Sequence, residues 1–393
     1  MRIPFEVAAR VRAGHPWIYR EALGGRPLRE AQGEILELVD PEGAFVARGV
    51  YDPESILAVR VASRSVDEVV GPAMVRDRIR DAIALRKRVG PSDSDAVRLV
   101  NAECDDLPGV VVESWANTLV VQLFSPAVLA WRDAIYDALE AELGKVSIYE
   151  QRRFRPIGAE SSPRLPAELV RGPAAPVEIE VTEAGLRFGI DVTAPVSVGL
   201  FLELREGRRA IGAWAPGRRV LNLFSYAGAI SAWAKRAGAK EVVAVDSVAK
   251  AHARSRHNLG LSGFDPESVE HITGDVMKTL ERFADRGRRF DLVVLDPPAF
   301  GTAAKGKVWA ADKELRDLVA AALTVLEPGG VLAATTGTHK ISHDDFDRAL
   351  AEGASRAGTR LAIIERRFLP ADFAVPPGFP EASTLKFAIA IRS

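Results

Sequence analysis

The chain has 393 residues, of which 47% are hydrophobic and 27% are charged, an ordinary globular composition. That length allows two or three domains and excludes a disordered protein, a collagen-like fibre and a small disulfide scaffold. The 52 basic and 53 acidic residues give a net charge of −1, so nucleic-acid binding would have to come from local basic patches. The single cysteine, Cys104, excludes an intrachain disulfide and a cysteine-rich zinc site.

The first residues show no sign of an export signal, because no unbroken apolar stretch precedes Arg10 and Arg12. The most apolar run, residues 118–131, is broken by polar residues and a proline and is too short to span a bilayer. We therefore expect a cytoplasmic protein with no membrane partner. Nothing in the sequence demands a partner subunit, although it allows a homodimer.

Residues 1–70 are expected to form a small β-rich domain. Apolar alternation predicts strands at residues 33–39, 44–50 and 56–61. Turn sequences containing Pro with Asp, Glu, Gly or Ser separate them at residues 40–43 and 51–55.

Residues 71–180 are expected to form an α+β middle domain. Helical spacing of apolar residues predicts an amphipathic helix at residues 75–89 and a second helix at 127–143. Strands are predicted at residues 109–113, 118–124 and 146–151, followed by a loop over 152–176.

Residues 181–393 alternate strands with helices, which predicts an α/β domain with a parallel, doubly wound, Rossmann-like sheet. The predicted strands are 219–224, 241–246, 270–273, 290–295, 330–336, 360–367 and 384–392, and the helices are 227–237, 248–259, 313–326 and 346–357. Ligands of such sheets bind beyond the carboxyl ends of the strands, so chemistry is expected in the segments that follow these strands.

The segment after the first strand of this domain is Asn222-Leu-Phe-Ser-Tyr-Ala-Gly228. It lacks the GxGxxG pattern of dinucleotide-binding proteins and has no cation for a phosphate. The next strand ends at Asp246, whose carboxylate could accept hydrogen bonds from both ribose hydroxyls. This combination suits a ligand with adenosine and no phosphate, such as S-adenosylmethionine. The alternative is a plain strand–turn–helix with a capping aspartate.

Two further strand ends carry polar motifs. Gly274-Asp275 offers a carboxylate for an adenine amino group. Asp296-Pro-Pro-Ala-Phe300 has two prolines that remove N–H donors and leave carbonyl oxygens as acceptors for the amine of a base. Phe300 provides a face for stacking on an extruded base. The alternative for this motif is a rigid turn.

In order and spacing, these four segments resemble a class I S-adenosylmethionine-dependent methyltransferase. The whole chain resembles the bacterial large-subunit (23S) ribosomal RNA methyltransferases with an N-terminal PUA domain, known mostly for cytosine-C5 methylation. Gly14-His-Pro-Trp-Ile-Tyr19 and Arg48-Gly-Val-Tyr-Asp-Pro-Glu-Ser-Ile56 resemble its PUA segment, Arg98-Leu-Val-Asn-Ala-Glu-Cys-Asp-Asp-Leu-Pro-Gly109 the entry to its middle domain, and Gly199-Leu-Phe-Leu-Glu-Leu-Arg205 the approach to its cofactor site.

The resemblance implies an enzyme that binds S-adenosylmethionine and large-subunit ribosomal RNA. The base is expected at Asp296, Pro297, Pro298 and Phe300. The cofactor is expected at Arg205, Asn222, Phe224, Ser225, Tyr226, Gly228, Asp246, Ser247, Asp275, Val276 and Asp296.

One departure from this family concerns the nucleophile. Cytosine-C5 methylation needs a thiolate to attack C6, and the family's cysteine position falls on or near Gly337. Asn222, Gly199-Leu-Phe-Leu, His339-Lys340 and Asp372-Phe-Ala374 resemble instead the guanine-N7 half of a bifunctional ribosomal RNA methyltransferase. Guanine N7 needs no thiol, so a guanine nitrogen is slightly favoured over cytosine C5. Cys104 is expected to be an inert residue.

Basic residues that could contact RNA phosphates are Lys305, Lys307, Lys340, Arg86 and Arg88. The alternative for such charges is a solvated face. Trp17 and Tyr19 could stack on RNA, but a core position for Trp17 fits equally well. No metal site is expected, because Ser342 followed by Asp345 indicates a helix N-cap rather than a site with His339 and His343.

Three other functions compete with this one. A Rossmann oxidoreductase is disfavoured by the absence of GxGxxG and by the Asp296-Pro-Pro-Ala-Phe300 motif. A non-catalytic RNA-binding or ribosome-assembly protein that keeps the fold is suggested by the missing cysteine. A small-molecule methyltransferase is disfavoured by the PUA-like segment.

Overall fold

The structure, a computed structural model, describes residues 1–24, 29–154, 165–298, 300–302 and 308–393, and only the backbone of residues 300–302 and 308–313. The chain forms two compact units. The first contains Met1–Val181, Ile190–Val198 and Ala371–Ala382, and the second contains Thr182–Gly189, Gly199–Pro370 and Ser383–Ser393.

The N-terminal part of the first unit is a four-stranded antiparallel sheet in the order β1-β4-β3-β2. Its elements are α1 (Phe5–Arg12), β1 (Trp17–Tyr19), β2 (Ile35–Val39), β3 (Phe45–Tyr51) and β4 (Leu57–Ser63). Alternate apolar residues of these strands and of α1 form one buried cluster. Helix α1 was not predicted, because its eight residues are too few to show a clear period.

The rest of the first unit is a five-stranded sheet in the order β5-β6-β7-β8-β9 with two packed helices. All pairs are antiparallel except β7 with β8, which α3 connects. The elements are α2 (Pro72–Val89), β5 (Ala96–Asn101), β6 (Val110–Trp115), β7 (Thr118–Leu123), α3 (Arg132–Leu143), β8 (Ser147–Arg152) and β9 (Glu168–Arg171). Strand β9 lies within the segment that the sequence predicts as a loop.

The second unit is built on a seven-stranded sheet in the order β14-β13-β12-β15-β18-β20-β19. The strands are β12 (Arg219–Leu223), β13 (Glu241–Asp246), β14 (Glu270–Thr273), β15 (Phe290–Leu295), β18 (Leu326–Thr336), β19 (Leu361–Arg367) and β20 (Lys386–Arg392). The first five in spatial order are parallel, but β20 runs antiparallel to both of its neighbours. The expected α/β fold is confirmed, with this correction to an all-parallel sheet.

Helices cover both faces of this sheet. On one face, α7, α8 and α9 bury an apolar cluster that includes Leu221 and Leu223 of β12. Because side chains alternate along a strand, Asn222 points to the opposite face, where its amide contacts Ser231 of α5. The helices are α4 (Arg205–Trp214), α5 (Ala229–Arg236), α6 (Ala249–Leu261), α7 (Val276–Asp285), α8 (Ala311–Val325) and α9 (His343–Arg356).

The described residues also form two hairpins, of β10 (Ile179–Glu183) with β11 (Leu186–Ile190) and of β16 (Phe300–Thr302) with β17 (Val308–Ala310). No helix in the described parts of the chain is both long and apolar enough to cross a bilayer.

The connection between β19 and β20 does not stay in the second unit, since Ala371–Ala382 packs within the first. Asp372 accepts a hydrogen bond from the Arg98 backbone N–H at 3.0 Å, and the Arg98 guanidinium lies 4.3 Å from the Phe373 ring centre. Phe379 packs edge-on against Trp17, with ring centres 4.5 Å apart. Trp17 therefore has a packing role in the first unit.

Candidate active site

The register of the sheet brings the polar strand ends together. Leu223 of β12 is paired with Val245 of β13 on one side and with Leu295 of β15 on the other. The next residue of each strand therefore lies at the same level of the carboxyl edge, and these three residues are Phe224, Asp246 and Asp296. The edge continues to β14, because Asp246 is paired with Thr273.

The segment after β12 has an unusual backbone. Phe224 and Tyr226 have φ angles of 58° and 43°, and Gly228 has a φ of 79°. A left-handed conformation costs a residue with a side chain roughly 1–2 kcal/mol, and such strain concentrates at functional sites. The sequence does not reveal this feature, because neither Phe nor Tyr is typical of that conformation.

The Asp246 carboxylate is fixed by two backbone N–H groups. One oxygen accepts from Tyr226 and the other from Val248, each at 2.9 Å. The remaining lone pairs can accept from a pair of hydroxyl groups. Val248 is 54% exposed although it is apolar, so it offers a surface for the flat face of an aromatic ring. Ser247, between them, is also exposed.

Asp275 begins α7 as its N-cap, and its Oδ1 accepts from the Lys278 backbone N–H at 3.0 Å. The preceding Gly274 donates its N–H to the Asp246 backbone carbonyl at 2.9 Å. The two aspartates thus lie at adjacent strand ends. Val276 is buried and packs in the apolar cluster under the sheet.

Gly228 lies in close contact with α6. A Cβ at this position would lie 2.0 Å from Ser255 Oγ and 2.7 Å from Ser255 Cβ. Ser255 is held from the other side by His271, whose Nε2 lies 2.9 Å from the same oxygen. Burial, helped by Arg256 and His252, lowers the pKa of His271 to about 4. Ser255 and His271 therefore form a closely packed, uncharged contact beside Gly228.

Ser225 and Asn222 each bury a polar atom that has no hydrogen-bond partner among the described residues, namely Ser225 Oγ and Asn222 Oδ1. Buried polar atoms normally have partners, and an exception needs an explanation. Ser225 follows the strand end, where a ligand would supply that partner. Asn222 lies within the strand, and its side chain donates to Ser231 of α5 at 3.0 Å. This hydrogen bond joins the strand to a helix and does not itself point to a ligand.

Asp296 is a half-buried carboxyl group with an altered acidity. Burial, reinforced by the negative charge of Glu203 and opposed by Arg208, raises the pKa of Asp296 to about 7. Pro297 after it is buried, and Pro298 is exposed. A group with such a pKa at the carboxyl edge is typical of a functional site.

A buried ion cluster supports the segment before α4. Arg208 donates to both oxygens of Glu183, at 2.7 and 2.5 Å, and Trp233 Nε1 donates to Glu183 at 2.9 Å. Burial alone would raise the pKa of Glu183, but Arg208 and the Trp233 N–H together hold it below its usual range. Arg205 lies 3.7 Å from the same carboxylate and is buried, so it belongs to this cluster.

Phe201 lies beside Tyr226 but was not among the predicted site residues. Its carbonyl accepts from Arg208 at 2.6 Å. Its ring is 42% exposed and lies 5.5 Å from the Tyr226 ring, centre to centre. The sequence signal that could have indicated it is its place in Gly199-Leu-Phe-Leu-Glu-Leu-Arg205, the segment that resembles the approach to the family's cofactor site.

The predicted RNA contacts have different locations. Arg86 is 4% exposed and is not available to RNA, because its guanidinium pairs with Asp105 at 2.5 Å and donates to the Asp372 carbonyl at 3.1 Å. This corrects the expectation that it binds phosphates. Arg88 and Lys340 are exposed. Lys305 and Lys307 lie outside the described residues, and for Phe300 only the backbone is described.

Other side chains bear on metal and thiol chemistry. The described ranges contain no group of three or more His, Cys, Asp or Glu side chains that could hold a metal ion. Ser342 Oγ accepts from the Asp345 backbone N–H at 3.0 Å, which confirms the predicted N-cap. Cys104 lies in the first unit, where burial and the charges of Asp105 and Glu103 raise the pKa of its thiol to about 12.

Two protein-family models match the chain. The model described as S-adenosylmethionine-dependent methyltransferase matches residues 135–389, and that described as PUA-like domain matches residues 5–64.

Curated proteins resemble the chain over nearly its full length. It is 31% identical to the ribosomal RNA large subunit methyltransferase I of Klebsiella pneumoniae (strain 342) over 377 residues, covering 95% of this chain and 93% of that protein. It is 32% identical to the protein of that name from Shewanella amazonensis over 382 residues, covering 96% and 95%.

Solved structures share the fold. A crystal structure described as a methyltransferase complexed with SAH has a TM-score of 0.89 at 20% identity, covering 100% of this chain and 99% of that one. A SAM-dependent methyltransferase from Streptococcus mutans has a TM-score of 0.87 at 19% identity, with the same coverage.

Proposed function

Because the chain belongs to the S-adenosylmethionine-dependent methyltransferase family, we propose that it methylates a base of large-subunit ribosomal RNA. The observation that carries this proposal is the register that sets Phe224, Asp246 and Asp296 side by side at one edge of the sheet. Full-length similarity to ribosomal RNA large subunit methyltransferases supports the choice of RNA.

The residues at this edge fit the cofactor. Asp246 would accept from the two ribose hydroxyls, Val248 would cover one face of the adenine, and Asp275 would accept from its amino group. Ser225, whose buried hydroxyl has no partner in the described part of the protein, would donate to the methionine carboxylate beside Tyr226. When bound, S-adenosylmethionine supplies a methyl group made electrophilic by the sulfonium.

Asp296, Pro297, Pro298 and Phe300 would hold the acceptor base. Pro297 and Pro298 have no backbone N–H, so the backbone at these two residues can only accept hydrogen bonds, for example from a base amine. Phe300 would stack on the base, as aromatic side chains do on extruded nucleotides. The RNA backbone would be held by basic residues that contact its phosphates, namely Lys305, Lys307, Lys340 and Arg88.

A guanine nitrogen, N7 in particular, is the proposed acceptor. Cytosine-C5 methylation requires a thiolate, but Gly337 carries no side chain and Cys104 has a pKa of about 12. Guanine N7 attacks the methyl carbon with its own lone pair, the carbon–sulfur bond breaks, and no proton has to leave. Positioning alone then supplies the catalysis. Cytosine C5 is the alternative acceptor.

The division of labour follows the expected domains. Residues 1–70, which contain the PUA-like match, would capture RNA, residues 71–180 would form the middle domain, and residues 181–393 would carry the chemistry. A ribosomal RNA substrate would place the enzyme in the cytoplasm. A homodimer stays a prediction.

The test is methyl transfer to defined RNA. The protein is incubated with labelled S-adenosylmethionine and unmodified large-subunit ribosomal RNA, with small-subunit ribosomal RNA as the matched control. The RNA is digested, and the labelled nucleoside is identified by mass spectrometry. Methylguanosine from the large-subunit RNA alone is expected.

Other outcomes have defined meanings. Labelled 5-methylcytidine would overturn the nitrogen acceptor and require another nucleophile. Failure to bind S-adenosylmethionine in calorimetry would favour a non-catalytic RNA-binding protein. Tight binding of NADH instead would favour the oxidoreductase.

A further inference from the structure

Lys386 is a buried lysine at the carboxyl edge of the sheet. It begins β20 and is 4% exposed. Lysine is almost never buried without a charged partner, because an ammonium loses its hydration there. No carboxylate within the described residues forms an ion pair with Lys386. Burial lowers the pKa of its ammonium group.

The ammonium group instead joins two backbone segments. Nζ donates to the Thr338 carbonyl at 2.9 Å and to the Thr384 carbonyl at 3.0 Å. Lys386 is also the register partner of Thr336, the last residue of β18. Its own carbonyl accepts from Thr335 Oγ1 at 2.9 Å. The start of β20 is therefore attached both to the end of β18 and to the segment beyond it.

The segment beyond β18 is residues 337–340, named here the β18 loop. It lies near the motif proposed to hold the base, because Leu295, which precedes Asp296, is paired with Ala334 of β18. Thr338 is the buried residue of this loop, whereas the other three are exposed. A Cβ on Gly337 would meet no atom of the described residues within 4 Å.

We propose that Lys386 is a positioning residue that holds the β18 loop, through the Thr338 carbonyl, at the place where the acceptor base binds. This inference rests on the proposed function and names one of the determinants of its base site. Thr338 is the buried residue that anchors the loop, and the Lys386 ammonium group donates a hydrogen bond to its carbonyl. Lys340, which is proposed to contact RNA, is in the same loop.

The experiment compares Lys386→Met with Lys386→Arg and with Lys240→Met. Methionine keeps most of the length of the side chain and removes the donors. Arginine keeps the charge and has five N–H donors that can serve two carbonyls. Lys240 is exposed and precedes β13 at the opposite, amino edge of the sheet, so its replacement is the matched control.

Lys386→Met is expected to lower kcat/KM for ribosomal RNA by about 10- to 100-fold, the cost of a misplaced site, and to leave S-adenosylmethionine affinity unchanged. Amide hydrogen exchange at residues 338–340 is expected to become faster. Lys386→Arg is expected to restore most of both properties, and Lys240→Met to match the parent protein.

Unchanged kcat/KM and unchanged exchange in a folded Lys386→Met protein would overturn the proposal. Equal losses of cofactor affinity and of kcat/KM would also overturn it, because they indicate a general structural role. If Lys386→Met does not fold, Lys386→Gln takes its place under the same criteria. Loss of the proposed function itself is distinguishable, because the parent protein would then methylate no RNA while the loop exchange still responded to Lys386.

Discussion

The carboxylate of Asp246 accepts a hydrogen bond at 2.9 Å from the backbone N–H of Tyr226, so the end of β13 fixes the loop that follows β12. Asp246→Ala removes the acceptors for the Tyr226 and Val248 N–H groups. It also removes the carboxylate that is proposed to bind the ribose hydroxyls. Hydrogen bonds to a charged group contribute about 1.5–3 kcal/mol each, so affinity for S-adenosylmethionine should fall at least about tenfold. Calorimetry checks this, with Glu281→Ala, an exposed residue of α7, as the control. Equal affinities in the two variants would remove Asp246 from the site.

The acidity of Asp296 predicts pH-dependent cofactor binding. Its pKa of about 7 means that it is mostly protonated at pH 6 and mostly ionised at pH 8. Only the ionised form attracts the sulfonium cation, so affinity for S-adenosylmethionine should rise with pH through this range. Titrations at several pH values test this, and S-adenosylhomocysteine, which has no sulfonium, should respond much less. Equal pH responses of the two ligands would contradict a role of Asp296 beside the sulfur.

The same pKa has a consequence for stability. The folded protein holds a proton on Asp296 up to about pH 7, whereas an unfolded chain releases it near its ordinary value of about 4. The contribution of this residue to the free energy of unfolding therefore falls as the pH rises from about 4 to 7. The free energy of unfolding of Asp296→Asn, measured in urea relative to the parent protein, should therefore be higher at pH 8 than at pH 5. A stability difference from the parent protein that does not change with pH would argue against the raised pKa.

Gly228→Ala should damage both folding and cofactor binding. The new methyl group would lie 2.0 Å from Ser255 Oγ, and the residue has a φ of 79°. Overpacking and left-handed strain together should cost about 2–4 kcal/mol of unfolding free energy. Gly260→Ala is the matched control, because among the described residues its Cβ would meet only Pro266, at 3.7 Å. Urea unfolding measures the free energy of unfolding of both variants, and equal values would contradict the close contact between Gly228 and Ser255.

Cys104→Ala should keep methyl transfer, since a thiol with a pKa of about 12 is almost never a thiolate at neutral pH. The measurement is the initial rate on large-subunit ribosomal RNA, with circular dichroism to confirm folding. Complete loss of turnover in a folded Cys104→Ala protein would make the thiol a candidate nucleophile and return cytosine C5 as the acceptor.

Most strands and helices of the second unit were predictable, because buried apolar runs that end in Asp246 or Asp296 have a clear pattern. The antiparallel insertion of β20 was not predictable, since periodicity identifies a strand but not its neighbours. The burial of Arg86 was missed for a related reason. Its helical spacing places it on the apolar face of α2, but only the fold shows that Asp105 is there to pair with it.

Some features of the site leave no signal in one sequence. The left-handed backbones of Phe224 and Tyr226 depend on the surrounding loop rather than on residue type. The raised pKa of Asp296 depends first on burial and then on the charge of Glu203, which is distant in the chain. Lys386 looks like an ordinary strand residue until its two carbonyl partners are visible.

The assignment of Ala371–Ala382 to the first unit has a consequence for synthesis of the chain. That unit lacks its last piece until six of the seven strands of the large sheet have left the ribosome. Until then, Arg98 and Trp17 have no Asp372 or Phe379 to pack against. The first unit is therefore completed only after most of the second has been synthesised, and neither unit can be cut out or exchanged as one continuous segment.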